Sequence, residues 1–348
     1  MGNCACFKLG VVRAALASAL LALVGCAAAP PPVEPEPPPV VVEPAPEPTP
    51  EPPPPPPPAP VPARAPTAAR PPRANIALVI DMSSESHAAV AAAIAAELPP
   101  RAYNVVEVVS TAKDELAALR DRALTIVAVG AAAVAAARTE LPGKDIVFCQ
   151  VLGYEALFAA GERVWGVLPL PPLALQLRGW RSVDPSLRTI ALVVSDPQDA
   201  LAAEAQQAAS AAAADLHIEI SSSDRETLYL FRRIAADVDG LWLLPDEEAL
   251  SPSVLRELLS YAATRGIGVL TFSEALLSRG ALLSATSVPA DVAATVHRIV
   301  ERVVAGRTSD LPAMTPLSAA EFAVNTNLAV TLGLPPPAAS RWVTRDPD

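Results

Sequence analysis

From Asn75 onward, short aliphatic runs alternate with longer stretches whose apolar positions recur at helical spacing. The runs at 76–80, 104–109, 125–129, 146–149, 189–194, 216–220, 240–244 and 267–271 read as strands. Most are separated by an alanine-rich or amphipathic segment, and such alternation predicts parallel sheets covered by helices. Two helices carry their own punctuation. Ser251-Pro252 opens one, and the other spans 289–306 with Val292, Val296, Ile299, Val300 and Val303 on one face. Between the first four runs and the second four lies 164–172, whose prolines suggest a crossing between two lobes. The expected class is therefore α/β, with two parallel sheets whose strand ends face each other across a cleft.

The pattern before residue 73 is different. Of the 348 residues 40 are proline, and more than half of these fall between Pro30 and Pro72, a composition that favours stiff polyproline II over any packed core. Residues 26–72 are thus expected to be a disordered spacer that holds the folded part away from its anchor. Upstream, Lys8 and Arg13 precede an apolar run at 14–24, too short to span a bilayer but suited to the hydrophobic region of a signal peptide covering 1–25. Leu23-Val24-Gly25-Cys26 resembles the bacterial lipobox, whose cysteine becomes the acylated N-terminus; Cys26 is the expected lipidation site. Met1-Gly2-Asn3-Cys4-Ala5-Cys6 also looks like a myristoylated start, yet Cys6 stands where that motif wants Ser or Thr, and the apolar run would have no role. After processing, only Cys26 and Cys149 of the four cysteines remain, so no disulfide framework is expected, and Cys149 reads as a buried apolar residue.

Charge narrows the partners. With 26 Lys and Arg against 37 Asp and Glu, the net charge of −11 argues against nucleic acid and against anionic membrane surfaces. Chemistry is sparse as well. His87, His217 and His297 have no metal-ligand spacing, and there is no glycine-rich phosphate loop, dinucleotide fingerprint or nucleophile elbow. His87 with Ser83, Ser84 and Ser86 reads as a capped helix start rather than a nucleophile and base. The expectation is a non-enzyme without cofactor or metal.

Several segments in order carry a resemblance. They are Val164-Trp165-Gly166-Val167 with Leu170-Pro171-Pro172 and Gln176-Leu177, Asp239-Gly240-Leu241-Trp242 with Pro245-Asp246, Leu270-Thr271-Phe272-Ser273-Glu274, and Val324-Asn325-Thr326-Asn327 with Leu332-Gly333-Leu334-Pro335. Together they resemble the bacterial ABC-transporter substrate-binding family that includes tryptophan- and tyrosine-binding lipoproteins. The resemblance covers about residues 75 to 336. It implies a type I periplasmic-binding-protein fold with two Rossmann-like lobes and three crossings. On that basis residues 73–348 form the binding domain, with lobe one at about 74–168 and 287–307 and lobe two at about 169–286 and 308–348. It also implies a small-molecule ligand between the lobes and an ABC permease as partner.

Open parallel sheets bind ligands at the carboxyl ends of their strands. This places the expected ligand-binding residues at Ser83, Ser84, Gln150, Asp196, Asp246, Ser273 and Glu274. Serine hydroxyls and helix N-termini suit a carboxylate and Asp246 an ammonium, so a small polar solute, with an amino acid leading, is the expected cargo. The chain departs from the family where it has Ala131-Ala132, Leu152-Gly153-Tyr154 and Ser287-Val288. These lose donors and an aromatic shelf, so specificity for aromatic amino acids does not carry over. The alternative is an interaction or sensing lipoprotein of the cell envelope that keeps the fold without transport. Ala27 lacks the aspartate that retains lipoproteins at the inner membrane, and with the long spacer it points to an outer-membrane anchor facing the periplasm.

Overall fold

The structure is a computed structural model that describes residues 73–158, 163–195, 200–246 and 250–346. Cys26, the signal segment, the proline-rich spacer and Asp196 lie outside the described residues.

The first lobe starts with β1 (Ala74–Ile80), α1 (Glu85–Glu97), β2 (Tyr103–Val109), α2 (Lys113–Ala117) and β3 (Thr125–Val129). It continues with α3 (Ala131–Glu140), β4 (Asp145–Cys149) and β5 (Val164–Val167). The second lobe runs through α4 (Leu173–Val183), β6 (Thr189–Val194), α5 (Ala200–Ala211), β7 (Asp215–Ile220) and α6 (Asp224–Ile234). It is completed by β8 (Gly240–Trp242), α7 (Pro252–Arg265), β9 (Gly268–Thr271) and β10 (Leu283–Ser287). The chain then passes through α8 (Pro289–Val304), β11 (Met314–Thr315), β12 (Ala319–Val324), α9 (Thr326–Thr331) and β13 (Arg341–Arg345).

Sheet order is β11-β5-β4-β3-β1-β2 in the first lobe and β13-β12-β10-β9-β8-β6-β7 in the second. The cores of the two sheets are the same doubly wound arrangement: β2-β1-β3-β4-β5 in one and β7-β6-β8-β9-β10 in the other, all parallel. Each reverses strand order once, between β1 and β3 and between β6 and β8, and a doubly wound sheet opens its binding crevice at that reversal. β3 is buried along its whole length, as a strand covered by helices on both faces must be.

Four findings depart from the expectations. The segment 164–167 is not a connection but β5, paired with β4, so the first crossing starts at Leu168. β8 ends at Trp242, two residues before the expected run does. The last crossing falls after β11 rather than near residue 308: Met314 and Thr315 pair with Gly166 and Val167, and Leu311 and Leu317 pack on the first lobe's core, so this stretch belongs to lobe one. The second sheet is not wholly parallel, because β12 and β13 add to its edge in antiparallel fashion.

α8 returns to lobe one. Its buried face, Val292, Val296, Ile299, Val300 and Val303, joins the cluster of Ile76, Leu78, Val127 and Val147. The lobes are thus joined at 168–172, at 287–289 and at 316–318. The first and third joints run side by side, since the Gly166 N–H donates to the Ala313 carbonyl at 2.8 Å and the Leu168 N–H to the Thr315 carbonyl at 2.9 Å. The third is also held to α8. The buried Asp291 carboxylate accepts from the Ser318 hydroxyl at 2.6 Å, the Ser318 N–H at 2.8 Å and the Ala319 N–H at 3.0 Å.

Candidate functional site

At the lobe-one reversal point, the loop after β1 turns on Asp81, whose Oδ1 accepts the Ser83 N–H at 3.0 Å. Ser84 caps α1, its hydroxyl accepting the Ser86 N–H at 3.2 Å. His87 folds back so that Nδ1 lies 3.1 Å from the Asp81 carbonyl and 3.8 Å from its carboxylate. Gly130, after β3, takes φ +90°, and a Cβ there would come within 2.8 Å of both Asp81 and the His87 ring. The turn after β3 therefore packs directly on Asp81 and His87. Burial acts to raise the Asp81 carboxyl, but hydrogen bonds from Ser83 and Ala132 and the facing His87 hold it below the ordinary carboxylate value.

The lobe-two reversal point is also crossed by a bond of the protein's own. Asp246, following β8, accepts the Ser195 N–H at 2.7 Å, stitching the loops after β6 and β8 together. Ser273 and Glu274, after β9, lead into a 3-10 turn, and Glu274 is exposed and ion-paired with Arg341 of β13, which also pairs with Glu321 at 3.1 Å. Gln150, after β4, adopts the left-handed φ of +58° and donates through Nε2 to the Ser287 hydroxyl at 2.9 Å. Of the residues expected from the sequence, Ser84 caps α1, Ser83 donates its backbone N–H within the turn after β1, Asp246 bonds Ser195, Gln150 makes an interlobe bond and Glu274 an ion pair, while Ser273 precedes its 3-10 turn without a side-chain cap.

Open space lies instead beside the first and third joints. A pocket of about 550 Å³ is walled on one side by the loop after β4, with Leu152, Tyr154 and Glu155, and on the other by Leu201 and Glu204 of α5 and Pro245 after β8. Its floor is the connection 168–173 with Pro316 of the third joint. The volume falls within the range of about 300–1,000 Å³ usual for small-molecule sites. No Lys, Arg or His is among its described lining residues.

The floor is tied to the second lobe through a buried side chain. The buried Gln176 side chain donates to the Pro171 carbonyl at 2.9 Å and accepts from the Trp242 indole at 3.2 Å, anchoring the prolines to the second lobe's core. Pro172 offers α4 no side-chain cap, and Glu204 supplies one from outside, its Oε1 accepting the Leu173 N–H at 3.1 Å. That bond fixes Glu204 at the wall.

The strand-end rule missed Tyr154, Glu155, Leu201 and Glu204. Leu152-Gly153-Tyr154 was the one available signal, because an apolar and aromatic loop replaces a polar one there.

No family model matches the chain, and no curated protein matches it. Solved structures do. The ligand-free, open form of a substrate-binding protein with adhesive properties from Clostridium difficile is 15% identical, with a TM-score of 0.57 over 76% of this chain and 96% of that one. An ABC domain in complex with L-Trp from Streptococcus pneumonia is 16% identical, with a TM-score of 0.50 over 76% and 96%. The fold is of the type I periplasmic-binding-protein kind. A third structure, XylFII in its complex with LytSN, is 11% identical with a TM-score of 0.51 over 74% and 99%. Among the described residues, no helix is long and apolar enough to cross a membrane, and no group of His, Cys, Asp and Glu could hold a metal ion.

Proposed function

We propose that this chain is a solute-binding lipoprotein of the bacterial cell envelope, a binding protein and not an enzyme, which presents a small ligand to an ABC permease. The observation that carries the reading is the interlobe pocket, whose walls come from different lobes and whose floor is the joints themselves. A ligand touching both walls has more contacts when the lobes close, which is the differential affinity that closure requires. The similar structures include a substrate-binding protein and an ABC domain in complex with L-Trp. Cys26 would be the acylated anchor, on the outer membrane, with the proline-rich spacer setting the reach.

The test is a thermal-shift screen of the purified protein against amino acids, amines, sugars, nucleosides and small peptides. A ligand at about 100 times its dissociation constant should add about 2.7 kcal/mol of stability. If no compound moves the melt, transport is the wrong reading.

A second reading has its own support. At both strand-reversal points the protein's own groups bond to each other, His87 to the Asp81 carbonyl and Ser195 to Asp246, and XylFII, similar in fold, occurs in complex with LytSN. An envelope interaction or sensing role would then use the fold as a docking body. Fractionation of the envelope and crosslinking to a neighbouring permease separate the two.

A further inference from the structure

We propose that the interlobe pocket selects a cationic ligand with an apolar body, such as a primary amine on an aliphatic chain, rather than a zwitterion or an anion; this rests on the solute-binding reading and narrows it. The lining is mostly leucine and proline with Tyr154, which suits a hydrocarbon body. The carboxylates among the described lining residues are Glu155 from lobe one and Glu204 from lobe two, and no basic side chain is among them.

Their carboxylates differ from the other acids near the strand ends. Asp81 is held by a backbone N–H of its own loop and Asp246 by one of the loop after β6. Glu204 is held by one oxygen only: Oε1 accepts from Leu173, and Oε2 accepts no hydrogen bond among the described residues. It is thus oriented by the first joint while keeping an acceptor for the pocket. The Glu155 carboxylate has no hydrogen bond or ion pair among the described residues and is exposed at the opposite wall. A cation between the walls meets opposite charge from both lobes. A carboxylate in the same place meets like charge and no basic partner among the described lining residues, so its desolvation goes without compensation from them.

The charge question is separable from the shape question with four probes that share a hydrocarbon tail: hexylamine, 1-hexanol, hexanoate and norleucine. Calorimetric titration of the full chain should give hexylamine the tightest binding, at least about tenfold tighter than norleucine or hexanoate. Glu204→Gln should weaken hexylamine about tenfold while changing 1-hexanol little. Glu155→Gln, more exposed, should weaken it only about two- to fivefold. Raising salt should weaken hexylamine and leave 1-hexanol unchanged. Tighter or equal binding of norleucine or hexanoate overturns the inference, as does an unchanged hexylamine affinity in Glu204→Gln. If none of the four binds but another solute in the broad screen does, the inference fails and the binding-protein reading stands. If nothing binds in either experiment, both fail.

Discussion

Gln150 and Ser287 meet across the lobes: the Gln150 amide, at the end of β4, donates to the Ser287 hydroxyl, at the end of β10, over 2.9 Å. Gln150 reaches that position with a left-handed backbone, a conformation that non-glycine residues adopt only at some cost. The bond sits at the second joint, so it couples the turn after one sheet to the exit from the other.

Ser287→Ala removes the acceptor and leaves the part-buried Gln150 amide without its partner. The expected loss is about 0.5–1.5 kcal/mol, read by urea unfolding at constant slope. Gln150→Gly should lose less, because glycine relieves the positive φ while forfeiting the same bond. A larger loss for Gln150→Gly than for Ser287→Ala would mean that the side chain has a second role.

Asp291 is the stronger fastener. Its buried carboxylate receives three hydrogen bonds from Ser318 and Ala319, where the chain leaves lobe one for β12. Asp291→Ala orphans two backbone donors and a hydroxyl, and about 3 kcal/mol or more of stability should go with them. Asp291→Asn keeps one acceptor oxygen and should cost less than Asp291→Ala. Equal melting temperatures for wild type and Asp291→Ala would refute the role of this clamp.

Cys149 should be inert. It is fully buried at the end of β4, and burial pushes its thiol from 9.0 up to about 12. Native protein should resist iodoacetamide at pH 8 and react only after denaturation. The folded thiol stays protonated from about pH 9 to 12 while the unfolded thiol ionises, so this stability is intact below pH 9 and is lost as pH rises through that window. The loss approaches about 1.4 kcal/mol per pH unit. Cys149→Ala should therefore close the gap to wild type as pH is raised from 8 to 10.5, and a constant gap would contradict the assignment.

The eight aliphatic runs were legible as strands because period and length agree there, and each overlaps a strand of the structure. β5 was not, because four residues including Gly166 run straight into prolines and look like a connection. β10, with Ser284, Thr286 and Ser287, and β13, with Arg341 and Arg345, lack the aliphatic run that marks a buried strand. β13 is an edge strand with alternating exposure, held by the Phe322 and Trp342 rings stacked at 5.1 Å, a contact no local pattern announces. The strand-end rule located the turns where Ser83, Asp246 and Ser273 sit, but it cannot say whether the polar group there faces a ligand or its own loop. Glu274 illustrates this, since its partner Arg341 is 67 residues away. The pocket-lining Glu204 was invisible because its orientation comes from α4, a different helix from its own.

A crystal structure of the protein with the strongest hit from the solute screen decides whether the space between the lobes is a ligand site. Density for the ligand is expected against Tyr154, Leu201 and Glu204, above the 168–172 floor, with the lobes closed on it. A ligand bound outside this cleft, or a cleft that stays open and holds only water beside a saturating solute, would contradict it.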